Sequence, residues 1–459
     1  MNLVALESRP WRAPMEVLHG LGDRAGVCAF LSGGGGPRAR WSYILSQPDR
    51  VLRIDGADRS DLFDQMTVLL GPRADHHPDG PPFQGGLAGL AGYEIGDRVE
   101  QLEASRHPDG WPDLAVGVYS SLLAFDHHER RVLAVGRGET PDQARGRAIA
   151  VAADLDLPAE APSGGPLAEP DIQVTPAADY EQAVAEVVNR IHAGEIFQAN
   201  IARVWRGRLL SGVRPLDLLQ RLAGDSPAPF AGWMNLGDLA LVSNSPERFL
   251  TLDAGDDFRI ETRPIKGTRR RGLTIAQDQA LISELCASAK DQAENLMIVD
   301  LMRNDLARVS PAGSVETPEL FAVESFANVH HLVSTVTARL APGLTAVDLL
   351  RAAFPPGSVT GAPKVQAMKV IQQLEPPRGP YCGSLFWIGF DGSLDSSVLI
   401  RTAAFAREGQ GWRWEARAGA GLVADSQPRE ERLETETKIK ALLEALTGAA
   451  PTAALGEAS

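Results

Sequence analysis

From Ile196 to Arg206 the chain alternates, with Gln198 and Asn200 on one face of an extended segment and Phe197, Ala199 and Ile201 on the other. The segments Gly383 to Ala404 and Trp412 to Gly421 have the same extended character, and the three together predict strands of a large antiparallel sheet. Helical spacing surrounds them. Tyr180, Val184, Val187, Val188 and Ile191 form one apolar stripe that Gly194 stops, Leu281 to Arg308 reads as helices in succession, and Pro428 opens a helix reaching Leu446. Two amides on one strand face fit either an exposed sheet face or the wall of a cavity.

The chain has 459 residues, enough for two closely packed layers or domains. The stretch from Leu157 to Asp171 is rich in Pro, Ala, Gly and Glu and reads as a linker, residues 157–171. It separates an amino-terminal region, 1–156, from a more regular region, 172–447, and residues 448–459 read as a disordered tail. In the first region, Gly85 to Gly92 repeats glycine every third residue, as closely approaching strands would, and it lacks the Lys and Ser/Thr of a phosphate loop. Cys28, Cys286 and Cys382 are few, odd in number and far apart, which argues against a disulfide framework and suits the cytoplasm. A net charge of −14 disfavours nucleic acid as a partner. No apolar run approaches a membrane span, and Met1 to Pro10 lacks the pattern of a signal peptide.

Two glycine-rich strings mimic nucleotide motifs without completing them. Gly419 to Ala424 follows a strand, but Asp425-Ser426-Gln427-Pro428 delays the helix that would receive a pyrophosphate. Gly357 to Lys364 lacks the Gly-Lys-Ser/Thr ending. Both read as turns offering backbone N–H groups to an anion. Carboxylates recur at helical spacing: Asp291 with Glu294, and Glu431 with Glu434 and Lys438. Each set alone fits a solvated helix face, and the two together fit oxygen ligands for a hard cation. Arg401 is expected mid-strand among apolar residues, so it requires a carboxylate from the protein or from a ligand, and Tyr381 and Lys364 are further donors. Lys266, between Pro264-Ile265 and Gly267, fits either a loop lysine paired with an acid or an amine held for nucleophilic work.

Taken in order, these strings resemble the chorismate-utilising enzymes. The matching runs are Ser245 to Phe249, Arg263 to Thr268, Ala293 to Leu301, His330 to Thr335, Gly357 to Lys364, Ile400 to Thr402, Gly419 to Gly421, and Glu434-Thr435 with Lys438. The resemblance implies an α/β (α+β) fold like that of anthranilate synthase component I: a large sandwich of two antiparallel sheets with helices outside. It also implies that Glu294 and Glu434 hold Mg²⁺, with Glu431 and Asp291 acting through water, and that the metal takes the ring carboxylate of chorismate. Arg401 and Tyr381 would grip the enolpyruvyl carboxylate, helped by backbone at Gly419, Ala420 and Gly421. Thr360, Gly361 and Ala362 would line the ring-carboxylate end, with His331 and Lys438 completing the site.

Two positions separate members of the family. Isochorismate- and salicylate-forming members carry a general-base lysine where this chain has Gln198. Anthranilate-forming members generally carry alanine where it has Lys266, and a lysine there resembles the members that make aminodeoxychorismate. In these, the resemblance implies, Lys266 adds to ring carbon 2 as the 4-hydroxyl leaves, Glu247 donates the proton, and ammonia then attacks carbon 4. Ammonia is expected from a separate glutamine amidotransferase subunit, since no amidotransferase nucleophile pattern occurs here. Asp225 to Phe230 resembles a segment that lines a tryptophan pocket in the amino-terminal part of relatives. Arg432 and Leu433, and Phe386 with Trp387, depart from the family pattern and are expected to alter packing or the partner surface. The alternatives are an anthranilate-forming enzyme and a non-catalytic binder of chorismate or tryptophan.

Overall fold

The computed structural model describes residues 3–33, 39–56, 58, 60–103, 106–255, 257–326 and 329–448. The segment 449–459, expected to be a disordered tail, therefore lies outside the described residues, as do Gly34 to Gly36. The fold is the expected sandwich: a 12-stranded and a 10-stranded sheet, antiparallel where they pair, with helices outside.

Both halves of the chain contribute to both sheets. Strand Cys28–Leu31 pairs with Phe230–Asn235 in the larger sheet, and Gly86–Ala91 lies between Ser384–Gly389 and Leu114–Tyr119 in the smaller. The glycine spacing in that central strand has a steric cause, since a Cβ on Gly89 would lie 2.1 Å from the Ala115 carbonyl oxygen. Segment 157–171 is irregular, but it is pinned: Leu167 and Ala168 donate to the Leu446 carbonyl, and Leu167 is fully buried.

The amide-bearing strand runs Gln198–Arg208 near one edge of the larger sheet. Its amides and Ala199 and Ile201 are all buried, while Phe197 precedes the strand and is 66% exposed. It pairs with Gly411–Leu422, placing Asn200 opposite Gly421 and Ala202 opposite Gly419. The helical stripe becomes Ala177–His192, and Gly194 follows it at φ +77. The successive helices are Ile275–Ala287 and Ala289–Ala307, and the last helix is Pro428–Thr447.

Three expectations are corrected. Arg401 is not in mid-strand: the chain leaves the smaller sheet after Leu394–Val398, joins the larger at Thr402–Glu408, and Arg401 occupies the crossing at φ +55. Lys266 is not in a loop but in strand Ile265–Arg270 at an edge of the smaller sheet. Lys364 is not a free donor, because it is buried in an ion pair with Asp305 at 2.6 Å.

Candidate functional site

Lys266 owes its direction to a bulge. Ile265 pairs with Val333 and Thr268 with His331, so three steps on the lysine strand match two on its neighbour, Val329–Arg339. The extra residue is absorbed at Lys266-Gly267, with Gly267 at φ +89. A bulge re-aims a side chain, and here it brings the Lys266 Nζ to 3.0 Å from the place a Cβ would take on Gly421. The same point is 2.6 Å from Gln198 Nε2. A Cβ on Gly419 would meet Asn200 Oδ1 at 2.6 Å and the Tyr381 hydroxyl at 3.0 Å. Alternate glycines thus leave a trough floored by backbone and bounded by two amides, a phenol and a lysine.

Two amide oxygens at this trough lack protein partners. Gln198 Oε1 and Asn200 Oδ1 are buried with no hydrogen bond, a state that native interiors seldom tolerate without a ligand or water. Arg401 donates to the Lys438 carbonyl and forms no ion pair among the described residues, while burial lowers its basicity and Tyr381 and Glu434 oppose that effect. A guanidinium so placed selects an anionic ligand. His331 lies close enough to Arg401 to feel its charge. Burial, reinforced by Arg401, pulls the imidazole down to about 4, so it is neutral, and it shares a 2.9 Å hydrogen bond with the Thr268 hydroxyl.

Opposite these donors stand the acids. Glu247 is buried, and burial pushes its carboxyl up to about 7 against a hydrogen bond from Ser358 and the charges of Lys266 and Lys438. Glu294, on the helix Ala289–Ala307, is also raised, by burial first, with Lys266 and Lys290 opposing and Asp291 and Glu434 adding. Glu434 lies on the last helix. Burial works against its ionisation, but Lys438 at 2.5 Å, with Lys266 and Lys290 beyond, holds it below the usual carboxylate range. Glu431, one turn earlier, is raised by burial and accepts a 2.6 Å hydrogen bond from Ser426. Lys266 therefore acts on Glu247, Glu294 and Glu434 together, and Lys438 also donates to the Gly419 carbonyl at 2.9 Å.

The segment Thr360-Gly361-Ala362 closes one side. It lies along the amide strand, with Asn200 N–H donating to the Thr360 carbonyl at 2.8 Å and Gln198 paired with Ala362. The Thr360 hydroxyl is fully buried and donates to the Pro356 and Gly357 carbonyls, so this segment offers the site backbone and not a hydroxyl. Asp291 is turned to Arg269 at 3.1 Å. Ser358, Ser426 and Lys290 escaped the sequence reading. Lys290 alone had a signal, four residues before Glu294, and the serines act through tertiary contacts that spacing does not encode.

Oxygen donors from two helices suit Mg²⁺ by chemistry, but they are not drawn together as a cage. Among the described residues, the one group of three His, Cys, Asp or Glu with ligand atoms within 4.8 Å of one another is His107, Asp109 and Glu415. That group is neutralised by Arg206, Arg413 and Arg417. Elsewhere, a cavity of about 950 Å³ between the sheets is lined by Phe30, Tyr43, Pro229, Phe230, Arg248 and Trp387. Trp387 stacks there on Phe83 at 4.6 Å, and Phe386 is fully buried, so both departures from the family pattern act in packing. Arg432 pairs with Glu181 and Glu436, and Leu433 is exposed.

A sequence profile for the family described as chorismate binding enzyme matches residues 27–444. Aminodeoxychorismate synthase component 1 from Klebsiella aerogenes is 42% identical over 437 residues, covering 89% of this chain and 90% of that protein. Anthranilate synthase component 1 from Thermus thermophilus is 38% identical over 445 residues, covering 95% and 93%. The crystal structure of anthranilate synthase component I from Streptococcus pneumoniae superimposes with a TM-score of 0.78 at 28% identity, covering 89% of this chain and 93% of that one.

Proposed function

Because the chain belongs to the chorismate binding enzyme family, we propose that its cleft binds chorismate and replaces the 4-hydroxyl by ammonia, giving 4-amino-4-deoxychorismate. The observation that carries this reading is Lys266, aimed by its bulge at the glycine trough and within electrostatic reach of Glu247, Glu294 and Glu434.

Arg401 and the Tyr381 hydroxyl take the enolpyruvyl carboxylate, and neutral His331 adds no charge beside it. The Lys266 amine, reacting as the free base, adds to ring carbon 2 as the 4-hydroxyl departs. Glu247, held up to about 7 by burial, is protonated often enough near neutrality to give that hydroxyl its proton, so it leaves as water. Ammonia then forms a bond to carbon 4 and expels the lysine, which regains its electron pair. Two easier displacements replace one hard one. Glu294 and Glu434 would hold Mg²⁺, with Glu431 acting through water, and Glu434 would exchange its Lys438 partner for the metal. When bound, the ion supplies positive charge for the ring carboxylate.

Ammonia comes from a separate glutamine amidotransferase component, and free ammonia partly replaces it. The 950 Å³ cavity, with Pro229 and Phe230 in its wall, takes tryptophan. No helix among the described residues is long and apolar enough to cross a membrane; the few, widely spaced cysteines are the ground on which the reaction is assigned to the cytoplasm. The Thermus relative favours a second reading, anthranilate formation with loss of pyruvate. Incubation with chorismate, Mg²⁺ and ammonium decides between them. A product with the mass of aminodeoxychorismate is expected, reduced on the order of a hundred-fold in Lys266→Ala. Anthranilate fluorescence without an added lyase would overturn the assignment.

A further inference from the structure

The turn that closes the substrate trough is fastened to the helix that carries Glu294 by a buried ion pair. Lys364 Nζ lies 2.6 Å from Asp305 Oδ2 and 2.7 Å from the Ala353 carbonyl, and both side chains are less than 8% exposed. Asp305 is eleven residues on from Glu294 in the helix Ala289–Ala307. Eleven residues make three turns plus about 20°, so the two carboxylates share one stripe of the helix. Leu301 lies on that stripe between them. A Cβ on Gly357 would come within 2.6 Å of Leu301 Cδ2 and 2.4 Å of Met302 Cε, so the turn rests directly on the helix.

The same turn reaches the reacting groups. Ser358 stands close enough to Glu247 to favour its ionised form, and the Thr360 carbonyl accepts from Asn200 N–H at 2.8 Å. Arg378, fully buried, donates to the Val359 carbonyl at 2.9 Å and to the Asn200 carbonyl at 2.6 Å. Any shift of the turn along the helix would therefore move the ring-carboxylate wall and Ser358 relative to Glu247 and Glu294.

Stability alone gives little reason to keep the pair. Burial lowers Lys364 and raises Asp305 to about 6, so the mutual attraction is largely consumed in offsetting desolvation. Buried ion pairs are often replaceable by apolar residues without loss of stability. What an apolar pair does not reproduce is a fixed separation.

We infer that Lys364 and Asp305 are positioning residues: their ion pair sets the register between the Glu294 helix and the Gly357–Lys364 turn, so that the metal end and the proton-donor end of the trough fit one substrate. This rests on the reading of the cleft as a chorismate and Mg²⁺ site. The test uses the full chain, with melting temperature and calorimetric binding of chorismate measured with and without Mg²⁺ and without ammonia.

Lys364→Met and Asp305→Leu alone lower the melting temperature, because each leaves a buried charge unpaired. The double variant regains it, yet binds chorismate in Mg²⁺ at least about ten-fold more weakly and loses kcat/KM on the order of a hundred-fold, the scale of an ångström of misplacement. Wild-type melting together with wild-type Mg²⁺-dependent binding in the double variant would overturn the inference. Should the double variant not fold, Asp305→Glu decides, since it keeps the charges and lengthens one arm. Roughly ten-fold weaker binding by folded Asp305→Glu supports the inference, and unchanged affinity refutes it. A wild-type chain that binds no chorismate would sink the functional reading itself, and this inference with it.

Discussion

Glycines 419 and 421 do more for the site than many of its charged residues, because they determine what the charged residues can approach. A side chain at 421 would occupy the point 2.6 Å from Gln198 Nε2 and 3.0 Å from Lys266 Nζ. Both neighbours are the ends of flexible side chains, so Gly421→Ala is expected to fold. Its methyl instead displaces the amine and fills the floor on which the ring would lie. We expect a melting temperature within a few degrees of wild type and kcat/KM reduced on the order of a hundred-fold, the usual cost of about an ångström of misplacement. Thermal melts alongside steady-state kinetics check this, and unchanged kinetics would show that the trough is not where the ring binds. Arg401 makes the complementary point. Sequence alone required a carboxylate for it, and the structure leaves that requirement unmet within the described residues, so the cation is available to an anion from outside.

At the scale of elements, the lysine bulge is the feature that local sequence could not reveal. Gly267 at φ +89 is strained for any other residue, and a Cβ there would press on Asp291 and on Leu285 Cδ1 at 3.0 Å. Gly267→Ala should cost about 1–3 kcal/mol of stability and re-aim Lys266, so activity falls further than stability. Gly146 is the control: it lies inside the helix Pro141–Ala152 with nothing within 4 Å of its Cβ position. Gly146→Ala should gain roughly 0.4–1 kcal/mol and leave kinetics unchanged. Chemical denaturation of the two variants measures both effects. The helix from Ala177 was legible because its apolar period is carried by its own residues, and the amide strand because alternation is equally local. The bulge and the sheet change at Arg401 were not, because each is defined by pairing with a partner far along the chain. Lys364 was misread for the same reason: its acid, Asp305, is 59 positions away.

Over the whole molecule, the site depends on how the amino-terminal half is joined to the rest. Glu94, buried just beyond the strand Gly86–Ala91, accepts hydrogen bonds from the N–H groups of Arg378 at 2.6 Å and Gly379 at 3.0 Å. Those residues lead into Tyr381, and the Arg378 guanidinium lies 4.6 Å from the Tyr93 ring and 5.7 Å from that of Tyr381. One carboxyl from the first half thus holds the loop that leads to Tyr381 at the trough in the second. Burial pushes Glu94 up to about 7, opposed by the backbone hydrogen bond from Arg378. The unfolded chain releases this proton near the ordinary glutamate value of about 4.3. From that value up through about 7, the folded state binds more protons than the unfolded one, so this group makes stability fall as pH rises, until the folded-state carboxyl is itself fully ionised. Glu94→Gln removes the titration but keeps an acceptor for one of the two N–H groups. Wild type should therefore be the more stable at pH 5, and the variant should close or reverse the difference by pH 8, by roughly 3 kcal/mol in all. Melting temperatures of both proteins across that range measure the change. A constant difference would mean that Glu94 titrates alike in both states, and that the junction between the halves is more hydrated than its burial implies.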